Sequence, residues 1–333
     1  METLLPFEKV KRKEILKKEI STDKQYGKTP EQRSMQELLE SGVFCLNKYE
    51  GPSSHQMMDF IKHILKIKKV GHGGTIDPKV TGVLPVALGK ATRIMDVLLK
   101  GGKEYVCLMH VHKLISASTI EKAMKEFVGK ITQIPPVRSA VKREKRTREV
   151  YYLEILDIDG QDVLFKIGCQ AGTYIRKICD DFGRQLGIGA HMHELVRTKA
   201  GPFTEREWYS LHDLQDAYFK FEHKNDDILL KKIIKPVEFA TSHLGKVWVL
   251  DSTVDALCHG ISLSIPGIAK INSEIKREDQ IAVLSLKGEL IGIGRAKMSS
   301  EEILKNEKGI TISLEKVFMD PEVYPHYQKA KVL

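Results

Sequence analysis

Apolar and polar positions change their period several times along this chain, and each change marks an element. The stretch to about Arg33 is polar and charged with no sustained apolar period, and it reads as an extension that packs against another part of the molecule. From Val43 the pattern is that of a globular chain. Residues 43–46 are an apolar run of strand length, followed by the loop 47–54, whose serines can cap what comes next. Met57, Ile61, Ile64 and Leu65 then recur at helical spacing, which predicts a helix over 55–67. Ser118-x-x-Glu121 is a capping-box pattern, and Ile120, Ala123, Met124 and Phe127 continue it as a second helix stopping at Gly129.

In the middle of the chain the period falls to two. Residues 150–158 and 163–169 are β-rich runs, and Asp159-Gly160 between them is a hairpin signal, so an antiparallel sheet is expected here. A calcium loop on Asp157 and Asp159 is excluded, because its twelfth position needs a bidentate Glu and Gly168 stands there. Helical spacing returns after Gly172, with Ile175, Ile178, Phe182 and Leu186 on one face and Gly187 as the stop. From about Lys246 the elements shorten. Strands are expected over 247–250, 281–286 and 290–295, with a helix over 251–258, which together suggest a β-barrel-like module.

Length and charge sharpen this division. With 333 residues, the chain exceeds the roughly 250 residues at which single cores stop growing. It carries 53 Lys+Arg against 44 Asp+Glu, and the excess is confined to the part before residue 247. A polyanionic partner for that part is therefore expected. Six basic residues and one Glu lie between Arg138 and Arg148, a candidate nucleic-acid contact. The five cysteines are odd in number and form no Cys-x-x-Cys pair, so they predict small buried hydrophobes rather than disulfides or a zinc ribbon. His191 and His193 alternate along a strand without an apparent third ligand, which argues against zinc. Residues 1–24 alternate apolar positions with lysines and lack a signal-peptide core, and a cytoplasmic location is expected.

The segment with most chemical character is Gly71-His-Gly-Gly-Thr-Ile-Asp-Pro-Lys-Val-Thr-Gly82. Its glycines permit close backbone approach, and Pro78 fixes the turn after Asp77, so one carboxylate is presented from a shaped loop. Phosphate-loop and dinucleotide spacings both fail. A carboxylate kept ionised in a cleft needs a cation beside it. Arg176 is the best placed, because Arg93, Arg184 and Arg197 read as ordinary helix or strand surface.

Lys48-x-x-Gly-Pro-Ser-Ser54, the Gly71–Gly82 motif with its Val-Leu-Pro85 continuation, Lys103-Glu-Tyr-Val106, the 135–143 segment, Gly172-Thr-Tyr-Ile-Arg176 and Glu194-Leu-Val-Arg-Thr198 resemble, in order, the motifs of TruB-type pseudouridine synthases. The likeness covers about 45–245 and is greatest to the archaeal catalytic subunits of box H/ACA ribonucleoproteins, counterparts of dyskerin. The carboxyl-terminal module resembles their PUA domain. The resemblance implies an α+β fold: a catalytic domain with a mixed, largely antiparallel sheet, plus a PUA β-barrel-like domain. It divides the chain into an amino-terminal extension (1–40) packing on the PUA domain, a catalytic domain (41–245), the PUA domain (246–326) and a tail (327–333).

It also implies RNA-guided isomerisation of uridine to pseudouridine in ribosomal RNA without metal or cofactor. Asp77 would be the catalytic carboxylate, as nucleophile or as base. Tyr105 would stack on the flipped uracil, Arg176 would pair with Asp77, and Tyr174 and Leu195 would complete the pocket. RNA contacts are expected at Lys48, His72, Arg138, Lys142, Arg143 and Arg146, with loop support as a further role among Lys48 and His72. In the PUA domain a local patch including Lys270, Lys276 or Arg295 is expected. The implied partners are a box H/ACA guide RNA, substrate rRNA and tRNA, and three small proteins: zinc-ribbon-like, glycine/arginine-domain and kink-turn-binding. The rival functions are a stand-alone tRNA synthase and a non-catalytic RNA-binding scaffold.

Overall fold

The computed structural model describes residues 3–19, 21–135 and 142–326. It divides into two compact units. The first holds Met1–Lys9, Phe44–Ala87 and Ile94–Ile233; the second holds Val10–Val43, Leu88–Arg93 and Ile234–Leu333.

The first unit is built on a mixed, largely antiparallel sheet. Its strands follow the order Trp208–Tyr209, Gly42–Lys48, Thr81–Leu88, Ala190–Ala200, Lys103–Val111, Asp162–Cys169, Arg146–Asp159 and Gly129–Gln133. Thr81–Leu88 runs parallel to Ala190–Ala200, and Lys103–Val111 is antiparallel to both of its neighbours. Arg146–Asp159 and Asp162–Cys169 form the expected hairpin. Its two turn residues are Gly160 and Gln161, one position later than Asp159-Gly160, because Asp159 pairs directly with Asp162 and Gly160 takes φ 56°. Cys107, Met109, Val111, Phe165 and Ile167 point into the core. The helix Ile175–Gln185 packs there through Ile175, Ile178, Cys179 and Phe182.

Local chemistry sets the helix limits. Ser53 caps the helix Ser54–Leu65 in a capping box with Gln56, and Lys66 ends it in the left-handed conformation. Met57, Met58, Ile61 and Leu65 are its buried face, each contributing about 1.5–3 kcal/mol by burial. The second expected helix is Ala117–Lys125. Its cap is Ser116 and not Ser118, whose side chain hydrogen-bonds to the cap instead.

In the second unit one seven-stranded sheet has the order Glu14–Leu16, Ile268–Asn272, Gly245–Val249, Gln280–Leu284, Leu290–Ala296, Ile310–Val317 and Leu263–Ser264. Its apolar core includes Val247, Val254, Ile271, Ile281, Val283, Ile291 and Ile303. The helix Asp251–Cys258 falls where the pattern put it. The amino-terminal strand was not legible as one. It pairs antiparallel with Ile268–Asn272, Leu16 facing Lys270, while Lys17 and Lys18 donate to the carbonyls of Ile303 and Pro266, both at 2.6 Å. Leu5 and Glu8, farther upstream, belong to the first unit; Leu5 is fully buried and Glu8 pairs with Lys199. Among the described residues no helix is long and apolar enough to cross a membrane. Four cysteines are buried and Cys258 is half-buried; all are free.

Candidate active site

Asp77 and Arg176 meet as an ion pair, each side chain about half exposed (52% and 50%). Asp77 sits in a loop fastened from three sides. Ser54, the first helical residue after its cap, accepts the Ile76 amide at 2.9 Å and donates to the Ile76 carbonyl at 3.2 Å. Lys48 reaches up from its strand to the carbonyls of Tyr49, Pro78 and Val80, at 3.0, 3.1 and 2.9 Å. Within the loop the Val80 amide closes on the Asp77 carbonyl at 3.0 Å, and the Gly51 amide joins the Pro78 carbonyl at 3.0 Å.

Two expectations are corrected here. Lys48 is fully buried, and its ammonium is spent on loop carbonyls, so it holds the loop and does not touch RNA. Burial lowers its pKa. Arg197, which read as strand surface, is 1% exposed. Its Nε donates to the Val83 carbonyl at 2.7 Å and its Nη2 to the Gly74 carbonyl at 3.2 Å. The parallel pairing of Gly82 with Arg197 brings the backbones so close that a Cβ on Gly82 (φ 104°) would lie 2.3 Å from the Arg197 carbonyl oxygen. The last glycine of the motif is thus required by strand approach.

Arg176 stands in the first turn of the helix Ile175–Gln185, after Tyr174 as cap residue. Tyr174 has no side-chain cap of its own. Gln133, from the edge strand, replaces it: its Oε1 accepts the Tyr174 amide at 3.0 Å and its Nε2 donates to the Tyr174 carbonyl at 3.1 Å. Gln133 is 4% exposed and gave no sequence signal, because a lone Gln in a β-run looks like any solvent-facing residue. Tyr105 faces Arg197 across paired strands, and Leu195, 8% exposed, faces Cys107 two residues along. Burial raises the Tyr105 pKa against the opposing effect of Arg197. Lys103 is also buried, donating to the carbonyls of Leu98 and Gly101, and burial followed by the Arg197 charge brings its pKa down to about 7.

The RNA-contact candidates are more scattered. His72 is half-buried, its ring edge-on to His55 at 5.4 Å and its Nδ1 buried without a hydrogen-bond partner. Lys142 and Arg143 are exposed, and Arg146 donates to the Lys142 carbonyl at 3.4 Å. Arg138 lies outside the described residues. In the second unit Lys270 pairs with Glu14 and lies over the Trp248 ring, and Arg295 pairs with Glu315. His191 has more histidine neighbours than expected. His112 Nε2 lies 2.9 Å from its Nδ1, and His110, itself paired with Asp162, lies beside it. Still, no group of three or more His, Cys, Asp or Glu among the described residues could hold a metal ion.

Comparison with known proteins shows the family. Residues 62–175 match the TruB family pseudouridylate synthase N-terminal domain, and 176–242 match the tRNA pseudouridylate synthase B C-terminal domain. A PUA domain matches 245–318 and a DKCLD domain 3–58. A probable tRNA pseudouridine synthase B of Methanothermobacter thermautotrophicus is 50% identical over 92% of this chain and 95% of that one. Its Pyrococcus furiosus counterpart is 50% identical over 97% and 95%. Among solved structures, a Cbf5-Nop10-Gar1 complex matches with TM-score 0.92 and 49% identity over 97% of this chain and 99% of that one. An H/ACA ribonucleoprotein bound to a substrate RNA containing 2'-deoxyuridine matches with TM-score 0.90 and 47% identity over 97% and 99%.

Proposed function

The chain belongs to the TruB family of pseudouridylate synthases, and from that membership we propose that it is the catalytic subunit of an RNA-guided ribonucleoprotein in which Asp77 acts on the sugar of a flipped uridine. The observation that carries the site assignment is the meeting of Asp77 and Arg176 at the end of a loop held by Ser54, Lys48 and Arg197. A scaffold that only bound RNA would have no physical need for a carboxylate so placed and so paired. Full-length likeness to subunits solved with Nop10 and Gar1, and in an RNP with substrate RNA, supports the same partners here, with a guide RNA selecting the uridine. We assign the target to ribosomal RNA, as the resemblance to box H/ACA catalytic subunits implies, and the location to the cytoplasm.

Pseudouridine forms when the N1–C1′ bond breaks, the uracil turns, and C5 bonds to C1′ with loss of the C5 proton, while N1 takes up a proton. A base inside a duplex cannot turn, so the nucleotide must first leave the stack. RNA covering the half-exposed pair would remove water, and the attraction between Asp77 and Arg176 would strengthen as the dielectric falls. Asp77 would then be held ionised for attack on C1′ or for removal of a sugar proton. Tyr105 offers a π-face on which uracil can stack in either orientation. Tyr174 and Leu195 would line the pocket, and His72, Arg138, Lys142, Arg143 and Arg146 would meet the RNA backbone. The second unit, with the extension strand in its sheet, would serve as the PUA RNA-binding domain, and about 41–245 as the catalytic domain.

Tritium released from RNA labelled at uracil C5 tests this, with and without guide RNA and partner proteins. Asp77→Asn is expected to abolish release, and undiminished release by it would overturn the assignment. A second reading, guide-independent action on tRNA, is favoured by the names of the curated relatives. Release from tRNA by the protein alone would establish it.

A further inference from the structure

The pairing of Lys103–Val111 with Ala190–Ala200 is interrupted beside Tyr105. Glu104 pairs with Lys199, but Tyr105 pairs with Arg197, so Thr198 is the extra residue of a β-bulge. Residues directly opposite one another share a face of the sheet, and one extra residue therefore decides which face each side chain takes. With Thr198 set out of the count, Tyr105 and Arg197 share the face on which Cys107 and Leu195 also pair. On that face Arg197 holds the Gly74 and Val83 carbonyls, on either side of Asp77 in the chain. A regular pairing would instead set Tyr105 against Thr198 and turn Arg197 to the opposite face.

Glu104, 5% exposed, keeps the extra residue in place. Its Oε1 accepts the Thr198 hydroxyl at 2.7 Å. Its Oε2 accepts the Tyr152 hydroxyl and lies 3.5 Å from the Lys199 ammonium, which also pairs with Glu8 at 3.0 Å. Tyr152 crosses a strand to get there. Glu104 and Tyr152 both pair with Gly168, and the tyrosine ring fills the place that a Cβ on Gly168 would take. One buried carboxylate thus ties three strands together at the bulge, with a cation beside it to offset the cost of its burial.

We propose that Glu104 is a positioning residue of this active site: by holding Thr198 in the bulge it keeps the Tyr105 ring on the same face as the arginine that anchors the Asp77 loop, so that a base stacked on the ring presents its sugar to the carboxylate. This rests on the assignment of Asp77 and Tyr105 to the reaction. A base seated on a ring that drifts by an ångström still binds, but its C1′ atom is then out of reach, and misplacement on that scale can cost about 100-fold in rate. Glu104 lies on the other face of its strand and acts through the bulge alone.

The test reads single-turnover rate, RNA affinity and melting temperature in the assembled particle with guide RNA, for Glu104→Ala, Thr198→Val and Thr198→Ser. Thr198→Val keeps the shape of the side chain and removes only the hydroxyl that Glu104 holds, whereas Thr198→Ser keeps the hydroxyl. Glu104→Ala is expected to slow the chemical step about 100-fold and Thr198→Val about 10-fold, with Thr198→Ser within about threefold of the parent rate and RNA affinity within about threefold for all. An undiminished rate for Thr198→Val, a Thr198→Ser variant as slow as Thr198→Val, or a loss confined to RNA affinity would overturn the proposal. If Glu104→Ala melts below the assay temperature, the two Thr198 variants decide alone. Asp77→Asn and Tyr105→Leu run in parallel separate the failures: if either keeps the parent rate, the site assignment itself is wrong, whereas if both are dead while Thr198→Val is not slowed, only the role of Glu104 is.

Discussion

Lys48 and Lys103 are both buried cations, and they lead to different expectations. Lys48 donates to three carbonyls, of which Pro78 also has the Gly51 amide, so Lys48→Met would leave chiefly the Tyr49 and Val80 carbonyls unpaired. At about 1–3 kcal/mol for each orphaned group, a net loss of about 2–4 kcal/mol is expected in chemical denaturation. The salt dependence of RNA affinity should not change, whereas Arg143→Ala should reduce its slope by about one. Lys103 donates to two carbonyls, which a neutral amine can still serve. Its pKa falls from 10.5 to about 7 on folding, so between those values the unfolded chain binds the extra proton and stability rises with pH. The stability of the protein relative to Lys103→Met is therefore expected to grow from pH 6 to pH 10; a difference that is flat or falls would contradict the buried, proton-shedding Lys103. The pairing of Asp77 with Arg176 was legible because the two motifs that carry them are each continuous in sequence. Arg197 was not, since Leu-Val-Arg-Thr-Lys alternates as an ordinary half-exposed strand does, and its acceptors lie more than a hundred residues upstream.

At the scale of elements, the arginine paired with Asp77 depends on a clamp between an edge strand and a helix start. Gln133 pairs the Tyr174 amide and adds to a carbonyl that already accepts the Lys177 and Ile178 amides, so Gln133→Ala leaves the part-buried amide unpaired. A loss of about 2 kcal/mol is expected, and a fall in kcat larger than any change in KM, because Arg176 follows two residues later. Steady-state kinetics and a melting curve check both. Elements with a long, clean period were legible to within a few residues: the helices Ser54–Leu65 and Asp251–Cys258, and the hairpin around Gly160. Elements of two or three residues, such as Glu14–Leu16, Trp208–Tyr209 and Leu263–Ser264, show no period at all and exist because a neighbouring strand offers them an edge. The shift of the helix cap from Ser118 to Ser116 has a similar origin, since several serines compete for one amide and only backbone direction chooses between them.

On the scale of the whole molecule, the second unit is assembled from both ends of the chain. Removing residues 10–33 would strip Ile268–Asn272 of its outer partner and leave an apolar strand with an open hydrogen-bonding edge. Such a truncation is expected to lower the amide-exchange protection of residues 268–272 and to promote self-association, measured by hydrogen exchange and light scattering. Unchanged protection would mean that the extension strand adds nothing to that sheet. The same pairing has a consequence in time. The strand Glu14–Leu16 is made first, and its mate Lys270 follows about 250 residues later, on the order of 10–50 s at 5–20 residues per second. Throughout that interval the first strand has no edge to join, so the unit that contains it is completed only after residues 268–272 have been made, and a chain released before then cannot close its own first element.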